Sequence, residues 1–262
     1  GARPHGHPFM SPDLFFQYLF AGITYGSIYA VVAIGFNIIY NATGIINFAQ
    51  GEFVMLGGMI AISLLPLLPL PLAVAAAVAI TMAVGGLIEV LFIRWLQSPS
   101  VLRMVIITIG ISILLRESAL HLWGESIRSL PYFYGNEVTT LNLGSVHLSP
   151  QVLFVLGACA IMVAGLHLFF RATPVGREMR ACAANRTAAQ LCGISTRNMV
   201  TLSFMLSAGI GALAGCVMSP ITYTQYDSGT ALAIKGFTVA ILGGLGNSGA
   251  AVAAGLLLGV IE

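Results

Sequence analysis

Glu52 is a single carboxylate inside a long apolar part of the chain. It lies in TGIINFAQGEFVMLGGMIAISLLP, residues 43–66, and residues 14–88 hold no other Asp, Glu, Lys or Arg. An ionisable residue in a membrane segment is costly, so by default it marks a transport pathway or a functional contact. The carboxylate can lock or gate a pathway, line it, or sit at the positive end of a helix. The residues alone leave these three roles open.

Two amides, Asn47 and Gln50, stand just upstream of this carboxylate. Because they are three residues apart, they share one face of the predicted helix, whereas Glu52 points elsewhere. We predict that Asn47, Gln50, Gly51 and Glu52 belong to the translocation pathway or to its gate.

Two further polar stripes follow helical spacing. Thr81 and Glu89 are eight residues apart, and Thr108, Ser112 and Arg116 recur every four residues. Each set lies on one helix face and needs protein or water opposite it. Thr and Ser also bond back to their own helix, so that internal satisfaction is the alternative. We predict a possible polar stripe at Thr81, Glu89, Thr108 and Ser112.

The composition places this chain in a bilayer. Of its 262 residues, 58% are hydrophobic and 8% are charged, and the mean hydropathy is +0.94. A soluble domain carries about 25% charged residues and could not hide so much apolar surface. The net charge of +2 is too small to indicate nucleic-acid binding.

Proline, glycine and polar breaks divide the apolar runs into crossings of about 20 residues. We predict an all-α polytopic membrane protein with about eight transmembrane or re-entrant helices. Residues 1–13 are a flexible tail or a cloning remnant, and residues 14–262 form a single transmembrane domain. The predicted helices cover about 14–40, a second ending near 65, one from about 72, then 104–123, 150–170 and 198–218, and two short or re-entrant helices around GGLGNSG at 243–249.

Two polar segments differ in character. Residues 124–149 contain two β-rich runs, 127–134 and 138–148, and predict a small hairpin. Residues 171–197 hold five arginines and one acidic residue, Glu178, which is typical of a cytoplasmic loop. The hairpin segment and the N-terminus are then extracytoplasmic. The break before Glu52 falls on the cytoplasmic side, so Glu52 need not lie at the midplane.

The basic segment also predicts local structure. Thr173 and Pro174 can start a helix, and TAAQLCG predicts a short helix over 187–192 that is closed by Gly193. Small alanines leave the surface of that helix shallow. It can dock into a groove on a soluble partner or anchor to anionic lipid, and the residues alone do not separate these two roles.

Several kinds of chemistry find no support in the chain. Its glycine motifs lack the preceding strand and the later acidic residue of a dinucleotide site. The only lysine, Lys235, is not part of a GK[ST] phosphate loop, so we predict that this chain binds no ATP by that route. The four cysteines form no CxxC pair, and the His, Asp and Ser residues form no catalytic constellation. We predict no catalytic residue, no metal and no resident cofactor.

Four stretches carry a family resemblance. TAAQLCGI resembles the EAA loop of ABC importer permeases: Ala188, Ala189 and Gly193 match, and Thr187 stands where Glu is usual. GITYGSIYAVVAIGFNIIYNATGIINFAQGEFVMLGG strongly resembles the opening of branched-chain amino acid permeases, the leucine/isoleucine/valine importers. ITIGISILL and FTVAILGGLGNSGAAVAAGLLLGVIE resemble their middle and end. Gln50 stands where His is common, and the family's usual last helix would lie beyond Glu262.

The resemblance implies a permease subunit of the bacterial inner (plasma) membrane for branched-chain or other hydrophobic amino acids. It also implies a second related permease, two cytoplasmic ATPase subunits that bind ATP, an extracytoplasmic substrate-binding protein and contact with membrane lipid. The residues expected to couple to the ATPases are Arg177, Arg180, Thr187, Ala188, Ala189 and Gly193.

Two alternatives remain at this point. An ABC permease for urea or short amides would share the same features. An ion-coupled carrier or channel acting alone would transport without ATP, and a buried carboxylate such as Glu52 or Glu89 would titrate during its turnover. An intramembrane enzyme is a distant third.

Overall fold

The computed structural model of the protein describes residues 12–95, 101–133, 141–143, 146–148 and 150–262. Within these residues, the helices are α1 Pro12–Thr43, α2 Gln50–Leu64, α3 Leu70–Ile88, α4 Val101–Trp123, α5 Pro150–Ala172, α6 Pro174–Ala184, α7 Arg186–Leu191, α8 Thr196–Thr222, α9 Ser228–Leu242 and α10 Ser248–Ile261. A π-helical turn, Glu89–Ile93, extends α3. Two short strands, β1 Leu141–Leu143 and β2 Val146–Leu148, pair antiparallel.

Five helices among the described residues are long and apolar enough to cross a membrane. They are α1, α3 with its π-helical turn, α4, α5 and α8. The apolar helices α2, α9 and α10 are shorter. At 15 residues, α2 and α9 are each about 22 Å long, less than the roughly 30 Å of a hydrocarbon core. The prediction of an all-α polytopic membrane protein with about eight transmembrane or re-entrant helices is confirmed.

Two three-helix units pack against each other at the centre of the protein, and the long helix of each unit contacts the shorter helices of the other. In the first unit, α1–α3, a long helix is followed by the short α2, and in the second unit, α8–α10, the long α8 is followed by the short α9. Helix α1 packs on α9 and α10, whereas α8 packs on α2 and α3. The two short helices also pack on each other. Each unit therefore completes the other, as in transporters built from inverted repeats with broken helices.

Small residues allow these helices to approach closely. A Cβ atom at Gly26 would lie 2.6 Å from the carbonyl oxygen of Gly255, and one at Gly255 would lie 2.7 Å from the Ala30 Cβ. A Cβ at Gly85 of α3 would lie 2.6 Å from the Cβ of Ala208 on α8. Small residues at four-residue spacing, Gly22, Gly26 and Ala30 in α1 and Ala251, Gly255 and Gly259 in α10, therefore allow tight helix packing at the α1–α10 contact.

Two predictions about segments need correction. Among the described residues, the two paired strands both fall in the second β-rich run, because Leu141 pairs with Leu148. In the first run, Arg128 instead exchanges backbone hydrogen bonds of 3.0 and 2.7 Å with Thr224, which follows α8. Residue 134 and the predicted tail up to residue 11 lie outside the described residues, and α1 begins at Pro12, two residues before its predicted start.

The break before Glu52, which ends α1, has a counterpart in the second unit. The break that corresponds to it in the second unit is the turn between α8 and α9, where Tyr223 adopts a positive φ of 58°. The glycine cluster instead forms the turn from α9 to α10. Composition alone does not reveal the break between α8 and α9, because residues 223–227 contain no glycine.

Candidate functional site

The N-termini of the two short helices meet inside the protein. After α1, Gly44 turns the chain with a φ of +71°, and α2 begins again at Gln50. Gly51 lies against Gly229 at the start of α9, where any side chain at Gly51 would collide with the carbonyl oxygen of Gly229. A Cβ at Gly229 would lie 2.5 Å from Oε2 of Glu52. Only glycine at both positions permits this approach.

Glu52 joins three helices at this point and is fully buried. Its Oε1 accepts hydrogen bonds from Ser112 Oγ of α4 at 2.9 Å and from Thr230 Oγ1 of α9 at 3.3 Å. Arg116 Nη1 lies 3.5 Å from the same Thr230 hydroxyl. The positive ends of α2 and α9 also favour an anion here. Oε2 has no hydrogen-bond partner among the described residues.

Glu52 lies level with the middle of α4, a helix long enough to cross a membrane. Its partner Ser112 lies at the centre of α4, well away from either end of that helix. The sequence argument placed Glu52 from the break at the end of α1. It could not show that the chain then runs back into the protein before α2 begins.

Gln50 forms a second junction with α1 and α8. The Ser207 hydroxyl lies 2.5 Å from Gln50 Oε1 and 2.8 Å from the Gly35 carbonyl oxygen, either of which can accept its proton. Gln50 Nε2 donates to the Ser207 carbonyl at 3.3 Å. All of these polar atoms are buried, so they depend on one another for hydrogen bonds.

Asn47 does not share a helix face with Gln50, and that prediction was wrong. It precedes α2 and accepts a hydrogen bond from the Ala49 backbone amide at Oδ1, 3.1 Å away. The contact is the local turn that Asn side chains favour. Asn47 therefore shapes the entry into α2.

The predicted polar stripe divides into two kinds of residue. Thr81 donates to the Ala77 carbonyl at 2.8 Å and Thr108 to the Val105 carbonyl at 3.1 Å, so both are satisfied by their own helices. Ser112, in contrast, reaches Glu52. The stripe therefore marks a contact between helices at some positions only.

Glu89 forms a separate ion-pair cluster at the end of α3. Its Oε2 accepts from Thr201 Oγ1 of α8 at 2.6 Å and lies 3.3 Å from Arg94 Nη2. Only 2% of Glu89 is exposed. The π-helical turn begins at this residue, and such turns occur frequently at functional sites.

The basic segment forms two helices joined at Asn185. Thr173 caps α6 through a 3.0 Å bond from the Gly176 amide, and Asn185 caps α7 through a 2.9 Å bond from the Ala188 amide. Gly193 has a φ of +82°, and the bonds that close α7 are those of a Schellman motif. The prediction of a short helix ended by Gly193 is confirmed.

The exposed side of α7 differs from the predicted contact surface. Thr187 and Ala188 are exposed, whereas Ala189 is 4% exposed and packs in the core. Ala189 therefore cannot enter a partner's groove, which corrects that prediction. Leu191 is 85% exposed and was missed, because its position in the sequence is equally compatible with burial. Arg177 and Arg180 on α6 are also exposed.

Sequence reasoning also missed Thr230, Ser207 and Thr201. Thr230 lies in the first turn of α9, and its type predicts a helix start but no neighbour. Ser207 and Thr201 lie in an apolar helix where a hydroxyl usually bonds its own backbone. No signal in the chain could have found their partners.

The fold is that of a polytopic membrane protein, and short helices that meet around buried polar residues are typical of transporters. The chain belongs to the family described as "Branched-chain amino acid transport system / permease component", which matches residues 18–262.

Three relatives have names that state a transport function. The high-affinity branched-chain amino acid transport system permease protein BraD of Pseudomonas aeruginosa is 34% identical, over 95% of this chain and 85% of that protein. The permease proteins LivH of Escherichia coli K12 and Salmonella typhimurium are 31% and 32% identical over the same shares. No solved structure matches the chain.

Proposed function

We propose that this chain is a permease subunit of an ABC importer that carries branched-chain amino acids across a bacterial inner membrane. The observation that carries the proposal is the family match over residues 18–262, supported by relatives whose names specify this transport. A second permease, two ATPase subunits and a substrate-binding protein complete the importer. The basic segment with α6 and α7 faces the cytoplasm, and the N-terminus and the hairpin face outside.

The direct test is reconstitution in liposomes with the ATPases and the binding protein. We expect uptake of labelled leucine only when ATP and the binding protein are both present, with urea not carried. Uptake without nucleotide, driven by an ion gradient, would support a carrier that works alone and would overturn the proposal.

The coupling surface is the exposed side of α7, formed by Thr187, Ala188 and Leu191. It is joined to α8 because Gln190 Nε2 donates to Thr196 Oγ1 at 2.8 Å and because Ala189 is buried beside it. Farther along, α8 holds Gln50 of α2 through Ser207. Closure of the ATPases thus has a continuous physical route from α7 through α8 to the start of α2.

Glu52 acts in this proposal as the gate residue. It holds α2, α4 and α9 together in the closed pathway, and alternating access requires Ser112 and Thr230 to separate from it. The burial of the carboxylate supports this role, since a charge with few partners is held only where the surrounding structure requires it. Because Glu52 lies in the first turn of α2, the alternative is that it only stabilises the positive end of this helix.

Ala188→Trp tests the coupling surface. A partner groove that fits alanine should reject the larger ring, since overpacking costs about 1–3 kcal/mol. We expect co-purification with the ATPases and substrate-stimulated ATP hydrolysis to fall about tenfold. Ala160→Trp, on the exposed side of α5, is the matched control and should leave both unchanged. If Ala188→Trp still binds and couples normally, α7 is not the coupling element.

A further inference from the structure

An amphipathic cavity lies beside the coupling segment. It has a volume of about 500 Å³ and opens between α1, α5, α6 and the start of α10. One part of its wall is apolar, formed by Ile34, Ile38, Val163, Leu166, Phe170 and Met179. The gate residues and the exposed side of α7 do not line it, so the transport mechanism leaves this space without a role.

The other part of the cavity is basic. His167, Arg171 and Arg180 line it, and no acidic residue does. Neither arginine has a carboxylate partner within the part of the chain that the structure describes. Ser248 and Gly249, the first residues of α10, add the positive end of a helix to the same wall. The charge of this end is complementary to an anion.

The two parts lie in the order that a membrane lipid requires. Arg171 is in the last turn of α5, where a transmembrane helix leaves the membrane, and Val163 lies about 12 Å deeper along the same helix. A free phosphate ion would use the basic end only. An anionic phospholipid has a charged headgroup and acyl chains, and so would fill both parts.

We propose that this cavity binds one anionic phospholipid, with its phosphate between Arg171 and Arg180 and an acyl chain along α1 and α5. Basic pockets between transmembrane helices on the cytoplasmic side bind such headgroups, so the inference rests on the orientation proposed above. The bound lipid joins α6 of the coupling segment to α1 and α10. It therefore holds the coupling segment in position against the transmembrane helices.

The test measures lipid retention by the purified permease–ATPase complex, using native mass spectrometry. Phosphatidylglycerol should be retained and phosphatidylcholine lost. Arg171→Gln with Arg180→Gln should weaken phosphatidylglycerol binding about 25-fold, because each basic residue near an anionic membrane surface changes affinity about fivefold. Arg197→Gln, a charge removed from the same segment but outside the cavity, should change it less than twofold.

A second variant tests the apolar part of the cavity. Val163→Trp narrows this part and keeps both arginines, so we expect weaker phosphatidylglycerol retention and unchanged binding of inorganic phosphate. If inorganic phosphate at millimolar concentration displaces the lipid completely, or if Val163→Trp binds lipid normally, the site is an anion site and the lipid proposal fails.

Two other results would also overturn the inference. Equal loss of lipid in the Arg197→Gln control would show binding to general surface charge. Retention of phosphatidylglycerol only after the ATPases are removed would assign the cavity to the protein interface. Lipid retention is read without transported substrate, so a failure of leucine uptake would contradict the proposed function and leave this result intact.

Discussion

The first unit, α1–α3, and the second unit, α8–α10, follow one plan but hold their neighbours by different means. Helix α3 meets α8 through close packing of Gly85 and through Glu89, which accepts a hydrogen bond from Thr201. Helix α10 meets α1 through stacked glycines along its length. Among the described residues, polar contacts occur only beyond its two ends, where Asn37 and Asn41 of α1 bond Gly246 and where Lys235 of α9 bridges Tyr29 and Glu262. The two helices of one edge are therefore joined by breakable polar side-chain contacts, whereas α1 and α10 meet along their length by backbone packing.

This difference assigns different mechanical roles to the two edges. Glycine packing is lost only if the helices separate, because each backbone fills the space left by the other. A hydrogen-bonded carboxylate can exchange partners over a small displacement. We expect motion during transport at the α3–α8 edge and around Glu52, with the α1–α10 edge remaining fixed.

The largest effect should follow a change at the fixed edge. Gly255→Leu places a side chain where a Cβ alone would lie 2.7 Å from Ala30 Cβ and 2.8 Å from the Gly26 carbonyl oxygen. We expect a loss of about 3 kcal/mol or more, seen as a lower melting temperature and low yield of the purified permease. Gly165→Leu on α5, where a Cβ meets nothing within 4 Å, should be tolerated. A stable Gly255→Leu protein would show that α10 is free to shift.

At the centre, where the two units meet, a substitution of Glu52 should reduce activity without reducing stability. Glu52→Gln keeps the shape of the side chain but removes the charge that strengthens its bonds to Ser112 and Thr230. Leucine uptake should fall about tenfold while expression and assembly persist, which corresponds to about 1.4 kcal/mol. Glu125→Gln, an exposed residue after α4, is the control. Near-normal uptake would leave Glu52 as a helix cap only.

A modest effect is expected at the polar edge. Thr201→Val removes the donor that lies 2.6 Å from Glu89 and should lower stability by about 1 kcal/mol. It should also raise ATP hydrolysis without substrate, because α3 and α8 are then less firmly held together. Thr238→Val, whose hydroxyl bonds its own helix at 2.9 Å, is the matched control. Equal results for the two variants would remove the distinction between the edges.

The smallest perturbation tests the orientation of the protein in the membrane. Cys192 is exposed after α7, whereas Cys159, Cys182 and Cys216 are buried. Burial also raises the pKa of the Cys182 thiol, which slows its reaction with maleimide. In intact cells an impermeant maleimide should not label the protein, and permeabilised cells should show labelling that Cys192→Ser abolishes. Labelling of Cys192 in sealed cells would show that the proposed orientation of the protein is the reverse of the true one.

Much of the fold follows from the chain itself, because breaks in an apolar sequence are local signals. Gly44 and the prolines after α2 mark turns whatever surrounds them. The close contact of α1 with α10 was also accessible in part, since the spacing of Gly22 and Gly26 matches that of Gly255 and Gly259. The π-helical turn at Glu89 could not be predicted from the sequence, because it depends on how α3 packs against α8.

Only part of the candidate site could be predicted from the sequence. The type and setting of Glu52 identified it as unusual, but its partners Ser112 and Thr230 are 60 and 178 residues away in the chain. Similarly, Ala188 and Ala189 are identical in type, and only packing against the core distinguishes the exposed one. Tertiary contacts decide such cases, and periodicity carries no information about them.

The separation between Glu52 and Thr230 has a consequence for biosynthesis. At about 5–20 residues per second, translation needs roughly 10–35 seconds to add the 178 residues between them. During that interval α2 carries its carboxylate with no α9 beside it, in a chain that is already entering the membrane. The nascent permease must therefore shelter this helix, in the insertion machinery or among its own early helices, until the second unit arrives to complete the contact.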